Sequence, residues 1–198
     1  LTVSQGVGSA TGALLDNKLH NLGLAAARIE KVVIHPGQVF SFWRAVGRPS
    51  AAAGYRAGRT ITGAALGTSV GGGLCQLSGM AYVLALQAGL RILERHPHSR
   101  DLYTDVTRFA PLGADATVVY AYKDLRFLNT TGASLQLRGE LGDGVVCLHL
   151  WASAPLKVHE VEFIAEACPG ATRVRTLRRA VGTPVAEMLS CDDYPRLA

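Results

Sequence analysis

No stretch of this 198-residue chain approaches the ~20 consecutive apolar residues that a membrane-spanning helix needs, so no integral membrane segment is expected. A basic, apolar, small-residue leader pattern is also missing. The sequence opens on Leu1, which leaves two localisations open: a cytoplasmic stand-alone protein, or an exported one with its leader removed. The four cysteines stand at 75, 147, 168 and 191 and never form a CxxC pair, and no HExxH occurs. Neither a metal nor any other cofactor is therefore expected. Basic residues are not interleaved with aromatics, so nucleic acid is not an expected partner. Internal repeats and low-complexity segments are absent, which excludes a solenoid.

What is present reads as an ordinary globular protein with a large core. Apolar residues make up 48% of the chain and charged residues only 18%. A chain of this length suits one domain with a small C-terminal extension, and it buries roughly 70% of its unfolded surface without needing a staple. The net charge is +5. Its densest stretch holds Arg173, Arg175, Arg178 and Arg179, spaced as a strand would space them, and is read as a solvated sheet face. Cys147 lies in an alternating run typical of a sheet. Cys168 precedes Pro169 and Gly170 in a turn, and Cys191 sits in a polar tail, so a disulfide between those two is open.

Periodicity supplies the elements. Residues 1–14 are expected to be irregular. Leu15, Leu19, Leu22, Ala26, Ile29 and Val33 recur at spacings of four and three, predicting an amphipathic helix that Pro36 and Gly37 stop. A strand is expected at 39–43 and another at 60–63. A glycine-rich stretch, 67–73, leads into a second helix marked by Leu77, Met80, Ala81, Leu84 and Ala88. Gly89 is placed to end that helix in the left-handed conformation, and residues 90–96 alternate as a strand. Further strands are expected at 117–122 and 126–128, followed by hairpins pairing 135–141 with 145–151 and 158–165 with 172–181. The expected fold is α+β, with two main helices packed on a mostly antiparallel sheet. The main domain covers 15–151, and 152–198 is a C-terminal β-hairpin extension and tail.

The break at Gly89 decides the candidate site. A helix over 75–88 rises about 20 Å at ~1.5 Å per residue. Seven to nine extended residues return ~23–30 Å at ~3.3 Å each. A strand folding straight back brings His96 or His98 level with Cys75. At a helix start, unpaired N–H groups and the positive dipole end favour a thiolate, and a neighbouring imidazole shuttles its proton. Gly72 and Gly73 are candidate oxyanion or carboxylate donors through their backbone. Asp115 is placed to orient the histidine, and Gln76 to add a donor. Ser41, Ser99 and His20 are candidate pocket residues. A plainer reading competes: Cys75 is a small residue at a tight loop-to-helix junction, and the His96–Pro97–His98 run an exposed turn. A metal site from Cys75, His96 and His98 is a third reading.

The residues 20–29, 36–42, 46–47, 54–55, 71–78, 88–99 and 115–120 together resemble the VanW family, in unbroken order over roughly 20–151. The Gly71–Gly73, Cys75, Gln76, Ser78 motif and the Glu94–Ser99 run are its most specific signatures. The family is named for an accessory gene of B-type vancomycin resistance clusters, and the resemblance implies a bacterial protein acting near peptidoglycan. A short, stand-alone copy fits recruitment to another pathway, including a biosynthetic one. The expected function is thiol-dependent acyl chemistry on a small-molecule or peptide-like substrate: hydrolysis, transpeptidation or acyl transfer. Cys75 is the nucleophile, His98 or His96 the base and Asp115 the orienting group. The alternative is a non-catalytic module that binds cell-wall peptides or glycans. Oligomeric state is not legible.

Overall fold

A computed structural model describes residues 1–8, 12–62, 65–99 and 110–196. Helix α1 (Ala13–Ile29) buries Leu22, Ala25, Ala26 and Ile29, the stripe that the spacing predicts. It ends before Val33. Val32, Val33 and Ile34 are β-branched and precede His35–Pro36, which favours extended backbone there. Val33–Ile34 accordingly forms a short strand, β2. The expected strand at 39–43 stops after three residues, β3 (Val39–Ser41). The Ser41 hydroxyl accepts from the Arg44 N–H and starts a one-turn helix, α2 (Phe42–Val46).

The next strand, β4 (Ala57–Thr62), pairs with an unanticipated β5 (Ala65–Val70), so the glycine loop is confined to 71–73. Helix α3 (Leu74–Gln87) is buried on nearly every side. Gly89 then takes φ 71°, its N–H bonds back to Leu86 and that of Leu90 to Ala85. The chain reverses into β6 (Arg91–Glu94). Residues 117–122 do not form the expected strand. They run as an extended tether ending in a tight turn, bridged between Val119 and Lys123 with Ala121 at φ 69°. There follow β7 (Arg126–Leu128) and the hairpin of β8 (Leu135–Gly142) with β9 (Val145–Ala152), turning at Asp143–Gly144. β10 (His159–Cys168), β11 (Ala171–Ala180) and β12 (Glu187–Pro195) close the chain.

The expected fold class is overturned. Of the described residues about 40% are strand and 22% helical, in three α-helices and several small antiparallel sheets, rather than two main helices on one sheet. The sheets run β1–β9–β8–β2, β10–β11–β12, β3–β7–β6 and β4–β5, where β1 is Thr2–Gly6. Two physical causes stand out. Asn129, fully buried, donates to the carbonyls of Ile34 and Ala133 at 2.9 and 2.8 Å and accepts from Thr131. That knot turns the chain sharply between β7 and β8 and separates their sheets. Segments read as irregular or as tail also become strands by pairing with distant partners, β1 with β9 and β12 with β11.

The core lies around α1 and α3, where Leu22, Ile29, Leu77, Met80, Leu84 and Leu148 are fully buried. The C-terminal sheet packs against α3 and the 110–118 segment, with Phe163 and Val174 pressed onto Gly113. Its arginines are matched by neighbours: Arg173 with Asp193, Arg175 with Glu166, Arg178 with Glu187, Arg179 with Glu160. Exposed pairs of this kind add little stability but neutralise the face. Cys168 and Cys191 are both free thiols. Among the described residues, no helix is long and apolar enough to cross a membrane.

Candidate functional site

The glycine loop is built for backbone to touch backbone. A Cβ on Gly72 would lie 2.2 Å from the Gly58 carbonyl carbon and 2.3 Å from its oxygen. Asn21, fully buried on α1, fastens this crossing. Its amide donates to Gly72 and Arg56 carbonyls at 3.0 and 2.9 Å, and its oxygen accepts the Arg56 N–H at 2.8 Å. Gly73 begins α3 with no side chain to cap it, and the aliphatic stem of Lys18 lies across it. The Lys18 ammonium donates to the Val7 carbonyl at 2.6 Å. Burial, helped by the charge of Arg59, pulls its pKa down to about 8.

Helix α3 then presents Cys75, Ser78 and Gly79 along one face, the i, i+3, i+4 spacing of a helix. The segment 114–118 lies extended along that face. The Ser78 hydroxyl donates to the Ala116 carbonyl at 2.5 Å, the Cys75 thiol points at the Val118 carbonyl at 3.8 Å, and Gly79 leaves room for the Ala114 carbonyl. Alternation along the segment turns Asp115 the other way, toward the chain returning from β6. There His98 donates its backbone N–H to Asp115 Oδ2 at 2.5 Å and sets Nδ1 2.8 Å from the same oxygen. Cys75, at the start of α3, is among the groups that act on the same ring.

The electrostatics follow from this chain of contacts. Burial opposes a charged imidazole at His98, but the hydrogen bonds and charges of Asp115 and Cys75 outweigh it and push its pKa up to about 9. Burial likewise opposes ionisation of Asp115. His98, Arg95 and Tyr194 more than compensate, holding its carboxyl well below the usual range. Arg95, its side chain only 6% exposed, lies against Asp115 and Asp192 with its guanidinium over the Tyr82 ring. On the far side of Arg95 a cavity of about 540 Å³ opens between β6 and β12, lined by Tyr82, Glu94, Arg178, Ser190 and Asp192 among others.

The remaining candidates have other partners. His96 Nε2 bonds Glu94 at 3.1 Å, so the set Cys75, His96, His98 is not assembled, and among the described residues no three His, Cys, Asp or Glu could hold a metal ion. The Gly72 N–H is spent on the Ser69 carbonyl, while Gly73 stands at the helix start next to Cys75. Gln76 donates to the Gly6 carbonyl at 2.7 Å and anchors the end of β1. Ser41 donates to Asp124 at 2.5 Å while capping α2. His20 bonds the Gly54 carbonyl at 2.8 Å, and Ser99 is exposed just beyond His98. Sequence reasoning missed Asn21, Ser78, Arg95 and Tyr194. Asn21 adjoins a flagged residue and Ser78 lies in the quoted motif, but nothing local marks the other two.

Comparison with known proteins places this geometry in context. The family described as "VanW like protein" matches residues 17–151. The chain is 32% identical over 137 residues to the uncharacterized protein YoaR of Bacillus subtilis, covering 69% of this chain and 44% of that protein. It is 34% identical over 128 residues to the vancomycin B-type resistance protein VanW of Enterococcus faecalis, covering 65% and 46%. The chain thus spans less than half the length of these relatives. No solved structure matches it.

Proposed function

The chain belongs to the VanW family, and from that premise we propose that it performs cysteine-dependent acyl chemistry on a small, peptide-like substrate. The observation that carries this reading is the Asp115–His98 pair, with Asp115 Oδ2 2.8 Å from His98 Nδ1 and Cys75 acting on the same ring from the start of α3. A carboxylate, an imidazole and a nucleophile in series form the arrangement that activates sulfur and serine alike, recognised by geometry rather than by chain order.

In this scheme Cys75 Sγ, its proton already resting on the His98 ring, attacks the carbonyl carbon of an amide, ester or thioester. The developing oxyanion faces the uncapped N–H groups at the start of α3, where the helix dipole favours negative charge. The bond to the leaving group breaks as His98 returns the proton to it, leaving an acyl group on sulfur. Water or an amine then attacks, His98 takes its proton, and Cys75 is released. Asp115 keeps its charge throughout and orients the ring. The name of the Enterococcus relative ties that protein to vancomycin resistance; for this chain the substrate is proposed only by bond class. Tyr120 and the exposed Tyr122 stand on the turn that follows Val118, with the half-buried Trp43 of α2 edge-on to Tyr120 at 5.6 Å, flat surfaces suited to a substrate passing beside the thiol.

Incubation with p-nitrophenyl esters and acyl thioesters, read by intact and peptide mass spectrometry, tests the scheme. Acylation confined to Cys75, abolished in Cys75→Ala and slowed at least tenfold in His98→Ala, is expected. Acylation spread evenly over the four cysteines, or none at Cys75, refutes it.

A further inference from the structure

Asp115 is held from a second direction by residues almost 80 positions away. Its two oxygens divide the work. Oδ2 serves His98, while Oδ1 accepts from the Tyr194 hydroxyl at 2.6 Å and from Arg95 Nη2 at 3.1 Å. Arg95 Nη2 also lies 2.9 Å from the Tyr194 oxygen, and Nη1 pairs with Asp192, which accepts the Ser190 hydroxyl at 3.0 Å. Tyr194 is fully buried. Both Tyr194 and Asp192 belong to β12, beyond the family-matched residues 17–151.

We propose that the C-terminal sheet is a working part of the site: Tyr194 and Asp192 are positioning residues that set how strongly Asp115 holds the His98 proton. The proposal rests on the Cys75–His98–Asp115 reading. Its physics has two opposed parts. A donor on Oδ1 draws charge away from Oδ2, so the Tyr194 hydroxyl weakens the grip of Asp115 on the imidazolium. Asp192 shares the charge of Arg95; without it, Arg95 acts undivided on Asp115 and on His98 beyond. Among the described residues, the groups facing His98 are Cys75 from α3 and Asp115 from the 110–118 segment. Behind Asp115 stand Arg95, Tyr82 from α3, and Tyr194 and Asp192 from β12.

The two substitutions therefore push in opposite directions. Tyr194→Phe keeps the ring and its packing but removes the hydroxyl, and raises the proton affinity of His98. Asp192→Asn keeps the shape but removes the charge, and lowers it. Loosened packing alone has no reason to give shifts of opposite sign.

The experiment is an NMR titration of the His98 ring in the full chain, assigned by its loss in His98→Gln, for wild type, Tyr194→Phe and Asp192→Asn. Shifts of about threefold in proton affinity, upward and downward respectively, are expected. Two unchanged titrations, or two shifts in the same direction, overturn the role of the C-terminal sheet while leaving the Cys75 reading intact. A wild-type His98 that titrates at an ordinary value instead defeats the underlying site reading.

Discussion

Raising the pH should cost this protein a definite amount of stability through one residue. His98 holds its proton to about pH 9 in the folded chain, against an ordinary value near 6.5 when unfolded. A group raised in this way contributes its full stabilisation below ~6.5 and loses it as the pH rises through 9. Each pH unit in that window is worth ~1.4 kcal/mol, so the contribution is ~3 kcal/mol at its fullest. The side chain is 22% exposed, so screening by solvent takes only a minor share. Urea denaturation of wild type and His98→Gln at half-unit intervals from pH 6 to 10 isolates the effect. The difference between the two should shrink steadily across the window and vanish near pH 10. A difference that stays flat from pH 6.5 to 9 refutes the charged hydrogen bond on which the account depends.

Three further substitutions probe the frame. Gly72→Ala sets a methyl group against the Gly58 backbone of β4 at 2.2 Å, where backbone meets backbone, and should cost ~3 kcal/mol or more or prevent folding, seen as a lowered thermal midpoint or loss of soluble protein. Asn21→Leu strips partners from the Arg56 N–H and from the Arg56 and Gly72 carbonyls, for a loss of ~2–4 kcal/mol in urea; a loss under ~1 kcal/mol would mean the loop is held by other means. Ser78→Ala frees the Ala116 carbonyl inside the core and should cost ~1–2 kcal/mol. Because Ser78 seats the segment carrying Asp115, it should also slow Cys75 acylation several-fold, whereas unchanged acylation would detach the segment from the chemistry.

The parts of the fold legible in the sequence were those governed by local rules. The 3–4 spacing of Leu22, Ala26 and Ile29 marks α1, Gly89 marks the end of α3, and Asp143–Gly144 marks the β8–β9 hairpin. Elements made by distant pairing were not legible. Strand β12 buries only Tyr194, directly after Asp192 and Asp193, so nothing in its own pattern separates it from a polar tail. The 117–122 stretch alternates like a strand, yet Ala121 turns it back after Val119, leaving Tyr122 84% exposed. Cys75 could be singled out as a candidate because helix start, glycine loop and return strand are sequential features. The choice of His98 over His96 was not available, since Pro97 breaks the alternation between them and the deciding partner, Asp115, lies 17 residues on. Arg95 read as one more strand arginine until Tyr194 and Asp192 arrived from the far end of the chain.

The central claim is that Cys75 differs in kind from Cys147, Cys168 and Cys191 because it shares a proton with His98. The most direct measurement is the pH dependence of iodoacetamide alkylation at all four thiols in one tube, read by peptide mass spectrometry in wild type, His98→Ala and Asp115→Asn. Cys75 should react ahead of the other three at neutral pH and lose that lead in both variants. A Cys75 that alkylates no faster than Cys191, which is exposed and outside the site, or that keeps its lead without His98, contradicts the account.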